Sequence, residues 1–210
     1  MRLSLCHVSK AIKGVEVLHD LNYTFLSGKI YGIQGKNGSG KTMLLRAAAG
    51  LIRPTSGYVE TDEYRLTRQH PYVRDLGIMI ETPSFIERET GRQNMLDLAS
   101  IRNVISCERI DETLEQVGLN PTDKRRVRSY SLGMRQRLGI AIALMEHPKV
   151  ILLDEPINAL DPSGVNRVVD ALCSERKKGA LIVVACHDSE ELESVFDEKL
   201  YMREGELCKA

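Results

Sequence analysis

Residues 35 to 42, Gly35-Lys36-Asn37-Gly38-Ser39-Gly40-Lys41-Thr42, constrain the fold of this chain more than any other stretch. They fit the pattern G-x-x-x-x-G-K-S/T, in which small residues let backbone N–H groups turn inward around a polyphosphate. Glycine suits this because it enters left-handed backbone conformations without steric penalty. Lys41 would set a mobile ammonium beside the outer phosphates, and Thr42 would offer a hydroxyl to Mg2+. The flanks agree with this reading. Ile30-Tyr31-Gly32-Ile33 reads as a short buried strand entering the loop. Met43 to Ala49 reads as a helix leaving it, stopped by Gly50.

The rest of the chain supplies layers around that unit. Leu3 and Leu5, then Val15 to Leu18, then Leu21, Tyr23 and Phe25 alternate with polar residues, as in an antiparallel β-layer. Tyr58 to Glu60 and Leu76 to Ile80 predict further strands, the second ending before Pro83. From about Ser84 to His147 the pattern is helical. Met95, Leu96, Leu98, Ala99 and Ile101 suggest one apolar stripe, and Ile110, Leu114 and Val117 another. Lys124 to Arg128 reads as a solvated face, with an acidic partner as the alternative. Leu138 to Met145 is a strongly apolar helix. Val150 to Leu153 and Leu181 to Ala185 read as parallel strands buried on both faces, with an amphipathic helix from Val165 to Lys178 between them. That alternation points to a doubly wound parallel sheet.

Bulk properties narrow the partners. The chain has 210 residues, enough for one large domain or a core with a smaller lobe. Lys plus Arg equals Asp plus Glu at 29 each, which argues against a nucleic-acid binder. Five scattered cysteines, without a C-x-x-C pair, suit reduced thiols better than a disulfide frame or a zinc site. The first residues do not read as a signal peptide, and no apolar run approaches the roughly 18 residues that would span a bilayer. A membrane role would therefore need another chain.

Chemistry is also expected at strand ends. Asp154 and Glu155 follow a buried strand, where open parallel sheets bind ligands. Asp154 would hold Mg2+ through water, and Glu155 would orient or deprotonate an attacking water. Ser131 fits a helix N-cap, and Gly133 would let a backbone approach closely. That helix start presents free N–H groups to an anion. His187, again after a strand, could bond a γ-phosphate.

In order, the phosphate loop, Tyr130-Ser131-Leu132-Gly133-Met134-Arg135-Gln136-Arg137, Leu152-Leu153-Asp154-Glu155-Pro156, Ala159-Leu160-Asp161 and Cys186-His187-Asp188 resemble the nucleotide-binding subunits of ABC transporters. The resemblance spans nearly the whole chain. It implies an α/β fold: a P-loop NTPase with a mostly parallel sheet core, an N-terminal antiparallel β-layer and an inserted helical subdomain. The core would comprise residues 1–83 and 148–210, and the helical part about 84–147. It implies ATP hydrolysis with Mg2+, and Lys41, Glu155 and His187 as catalytic positions. Gly35, Lys36, Asn37, Gly38, Ser39, Gly40, Lys41 and Thr42 would hold nucleotide. Ser131 and Gly133 would contact the ATP of a second subunit, and Asp161 would lie at the dimer seam. Partners would be an identical or related ATPase subunit and a transmembrane permease, with the chain peripheral on the cytoplasmic face. A soluble ATPase of the same type, acting on nucleic acid or ribosomes, is the rival reading. Such proteins usually carry a long coiled coil or two such domains.

Three departures from the family pattern matter. Ile12 takes the place of an aromatic that stacks on adenine, which predicts weak discrimination between ATP and GTP. Glu81 stands where most members have glutamine. A carboxylate only accepts hydrogen bonds, so it would be repelled by a γ-phosphate unless Mg2+ lies between. Glu81 is thus a candidate metal or water sensor beside Thr42 and Asp154. Leu132 and Met134 replace the common Gly and Gln. With Glu81-Thr82-Pro83-Ser84-Phe85, they resemble the branch serving bacitracin- and lantibiotic-type export or immunity.

Overall fold

The computed structural model describes residues 1–187 and 190–209. Asp188, the last member of the Cys-His-Asp triplet, lies outside them. A sheet of three antiparallel strands has β1 (Arg2–Ile12) at its centre, flanked by β2 (Val15–Leu26) and β4 (Ser56–Thr61). This is the β-layer expected from the alternating N-terminal residues. The larger sheet has the order β5 (Leu76–Met79), β6 (Val150–Asp154), β7 (Leu181–Cys186), β3 (Ile30–Gln34), β8 (Glu198–Arg203), β9 (Glu206–Lys209). Its strands are parallel except β9, which returns antiparallel beside β8.

Strands β3, β6 and β7 are buried at every position, so both of their faces are covered. Side chains alternate across a strand, and the two faces feed different cores. Val150 and Leu152 join α1 (Lys41–Ala49) and the antiparallel layer through Leu44, Leu45, Leu5 and Phe25. Ile151 and Leu153 face the opposite side, where α4 (Leu132–Leu144) and α5 (Pro162–Lys177) pack through Leu138, Ile140, Leu144, Val168 and Leu172. The helix that follows the glycine loop is thus clamped between two sheets, which fixes the loop at its N-terminus.

Helices α2 (Gly91–Arg102) and α3 (Cys107–Gln116) precede α4 and share the second core. Side-chain caps start all three. Thr90 accepts from the Gln93 N–H, Ser106 from Arg109 and Ser131 from Met134. The apolar stripe expected on α2 divides. Met95 and Ala99 are buried, but Leu98 is 41% and Ile101 78% exposed. At 100° per residue the expected stripe covers more than half of the helix circumference, and only the Met95–Ala99 side meets the core. The basic run 124–128 also needs correction. Val127 is fully buried and its N–H bonds the Glu89 carbonyl at 2.8 Å, so a one-turn 3-10 helix anchors an otherwise exposed segment. Among the described residues, no helix is long and apolar enough to cross a membrane.

Candidate functional site

The carboxyl ends of β3 and β6 open on a cleft of about 800 Å3. Its floor is the glycine loop. Gly38 and Gly40 have φ of 79° and 110°, values that glycine adopts without strain. A Cβ at Gly40 would lie 3.1 Å from the Val17 carbonyl oxygen, so the loop runs close beside β2. The first-turn N–H groups of α1 have no acceptor within the helix and face the loop. Lys41 is 6% exposed, and its Nζ donates to the Gly35 carbonyl at 2.6 Å and to Lys36 at 3.3 Å. The ammonium is therefore held inside the loop rather than extended into solvent. Ser39 Oγ is buried and has no hydrogen-bond partner among the described residues, and Ser39 belongs to the cleft lining.

The acidic side of the cleft meets this loop directly. Thr42 Oγ1 donates to Asp154 Oδ2 at 2.6 Å. Burial pushes the Asp154 carboxyl above its ordinary range, opposed by the Thr42 hydrogen bond and the Lys41 charge. Glu155 Oε1 lies 3.8 Å from Lys41 Nζ and 3.3 Å from His187 Nε2. Glu155 takes φ of 49°, turning the chain out of β6 just past Asp154. Its N–H bonds the Ala185 carbonyl at 2.8 Å, and its own carbonyl accepts from Gln136 Nε2 at 2.9 Å. Lys41, Thr42, Asp154, Glu155 and His187, distant in sequence, thus form one connected group.

The helix-start residues behave as local chemistry requires. Ser131 caps α4 and is exposed. A Cβ on Gly133 would sit 2.8 Å from the Ala159 carbonyl, so the close approach expected there is to this chain's own backbone. Asp161 caps α5 by position but turns its carboxylate to Ser163 Oγ at 2.6 Å, which lowers its pKa. Ser131, Gly133, Asp161 and His187 do not line the cleft themselves. Leu132, Gln136, Asn158 and Ala159 from the same segments do.

Two positions that depart from the family pattern are placed differently. Ile12 pairs with Val15 at the exposed end of β1 and is outside the cleft lining. The residues that line that end are Val15, Glu16, Val17 and His19 of β2. Glu81 lines the cleft, but its Oε1 accepts from Arg46 Nη2 at 2.7 Å. Arg46, Gln136, His19 and Gly205 are the contributors that sequence reasoning missed. For His19 the signal was present: residues 15, 17 and 19 share one face of a strand.

Comparison with known proteins gives a consistent set of relatives. A family model described as ABC transporter matches residues 18–158. The chain is 40% identical over 205 residues to the uncharacterized ABC transporter ATP-binding protein YybJ of Bacillus subtilis (strain 168), covering 98% of this chain and 94% of that protein. It is 40% identical over 193 residues to the bacitracin transport ATP-binding protein BcrA of Bacillus licheniformis, covering 90% of this chain and 62% of that one. The dimeric structure of MJ0796, a bacterial ABC transporter cassette, matches with a TM-score of 0.86 and 25% identity, covering 98% of this chain and 96% of the other.

Proposed function

The chain belongs to the ABC transporter family as an ATP-binding and ATP-hydrolysing subunit, and from that premise we propose that two such subunits close around ATP and drive a membrane permease. The observation that carries this reading is the connected group at the strand ends. Thr42 meets Asp154 at 2.6 Å, and Glu155 lies within 4 Å of both Lys41 and His187. In this reading residues 35 to 40 wrap the polyphosphate with N–H groups. Lys41 leaves its loop carbonyls for the β- and γ-phosphates. Glu155 positions the attacking water and accepts its proton, while His187 fixes the Glu155 carboxylate and reaches the γ-phosphate.

The donor set suits Mg2+. Among the described residues, no group of three or more His, Cys, Asp and Glu stands ready to cage an ion. Mg2+ does not need one, since it keeps several waters and takes one or two protein oxygens plus phosphates. Thr42 Oγ1 and Asp154 Oδ2 are hard oxygens already in contact and would hold it. When bound, the ion would neutralise charge building on the phosphate oxygens.

Ser131, Gly133 and Asp161 stay outside the cleft of their own chain and would serve the ATP of a second copy. A division into a core (1–83 and 148–210) and a helical part (84–147) would let the second swing toward the first. Glu81 connects the two regions: it lines the cleft and leads through Pro83 and Phe85 into an apolar groove of about 300 Å3. With exposed Leu51, Leu98 and Ile101 beside it, this groove is the surface offered to the permease. If Glu81→Ala left both transport and ATPase intact, no relay runs through it. The likeness to BcrA supports a peptide antibiotic as cargo, in export or self-immunity.

Glu155→Gln tests the central claim. The amide cannot take a proton, so the variant should bind ATP, accumulate as a dimer on size exclusion and hydrolyse almost none. A variant that stays monomeric at saturating ATP and hydrolyses normally would refute it.

A further inference from the structure

Resting on the nucleotide-binding reading above, we propose that His19, backed by the Gly205 turn, supplies the flat wall on which the nucleobase packs. A purine needs a planar or apolar surface at the end of the cleft away from the catalytic carboxylates. Ile12 does not provide it, because it lies outside the lining. Among the described residues that line the cleft, the His19 imidazole is the one ring.

The ring is built in, and its mounting joins it to the phosphate loop. The His19 N–H donates to the Gly205 carbonyl at 2.9 Å, and the Gly205 N–H donates to the Ser39 carbonyl at 2.9 Å. Gly205 therefore bridges the loop to the strand that carries the ring. A Cβ on Gly205 would lie 2.2 Å from His19 Cδ2, so the imidazole occupies space that only glycine leaves open. Gly205 also has φ of 83°, which a side chain would strain. Glu16 Oε2, 3.4 Å from Nδ1, sets the ring's orientation from the same strand. The ring is 40% exposed, so part of it is open to a ligand. Val15 and Val17 continue the wall on either side of Glu16.

Stacking tolerates any base, since each has a π-face, so this wall would serve ATP and GTP alike. Titration calorimetry of the purified chain with MgATP, MgGTP and magnesium tripolyphosphate tests the proposal. His19→Ala should weaken both nucleotides about tenfold, the equivalent of about 1.4 kcal/mol, and leave tripolyphosphate unchanged. His19→Phe, which keeps a planar face, should retain nucleotide affinity. Four results would overturn the proposal: a loss below about threefold on His19→Ala, an equal loss for tripolyphosphate, a loss on Ile12→Ala as large as on His19→Ala, or a His19→Phe variant as weak as the alanine. A wild-type chain that binds none of the three ligands would instead sink the function from which the inference starts.

Discussion

Replacing Glu175 tests whether the helices are pinned to the core by one buried carboxylate. Glu175 is 1% exposed on α5. Both of its oxygens lie 3.1 Å from His147 Nδ1, and Lys178 Nζ donates to Oε1 at 2.9 Å. Arg109 of α3 stands 4.0 Å away. The carboxylate thus ties α3, the segment after α4 and α5 together. Glu175→Gln keeps the volume but turns an NH2 group toward donors that had met an oxygen. Hydrogen bonds to charged groups contribute about 1.5–3 kcal/mol each. The bonds here share one acceptor, so they do not add fully, and losing the buried charge returns part of its desolvation cost. The net expectation is a loss of about 2–3 kcal/mol, or a melting temperature lower by about 4–12 °C. Urea unfolding followed by circular dichroism reads this directly, provided the m-value is unchanged. Asp20→Asn is the control. Its pair with His7 is 2.8 Å long but the side chains are 67% and 77% exposed, so the urea midpoint should not move. Hydrolysis per folded molecule should survive Glu175→Gln, because the cluster does not line the cleft. A loss below about 0.5 kcal/mol would show that burial and proximity do not make this carboxylate a structural pin.

Other outcomes follow from the same geometry. Hydrogen bonds from Lys29 and Tyr23, each 2.6 Å long, hold the Glu198 carboxyl below its ordinary 4.5. A depressed folded pKa gives stability above the unfolded value that fades as pH falls through the folded one, so Glu198→Gln should cost melting temperature at pH 7 and progressively less as pH falls below 4.5. Gly133→Ala should lower both stability and ATPase rate. Overpacking against the Ala159 carbonyl costs about 1–3 kcal/mol, more than the gain in helix propensity of about 1 kcal/mol. Ile101→Glu should leave the urea midpoint unchanged, since the side chain is 78% exposed, yet reduce co-purification with membranes that contain the permease. Retention at the wild-type level would remove Ile101 from the docking surface.

The parts of this fold that were legible in sequence are those where local pattern and burial coincide. Val150 to Leu153 and Leu181 to Ala185 read as parallel strands because both faces are covered, and Asp154 and Glu155 after the first of them had to lie at the ligand end of the sheet. Ile12 followed from the order of motifs alone, and the register shifts in β1 between Leu5 and Ala11 are a separate feature that no residue pattern there announces. Arg46 was invisible for a different reason: its partner lies 35 positions away, in the turn beyond β5. That pairing answers the difficulty raised by a carboxylate at position 81. Glu81 pushes the Asp154 pKa up, and Arg46 pulls it down. The two therefore act on Asp154 with opposite sign. A glutamine at position 81 would bring no charge to balance, so Arg46 is needed here because the residue is acidic. Arg46→Ala, which uncovers the Glu81 charge, should then weaken nucleotide binding less in Glu81→Gln than in the wild type.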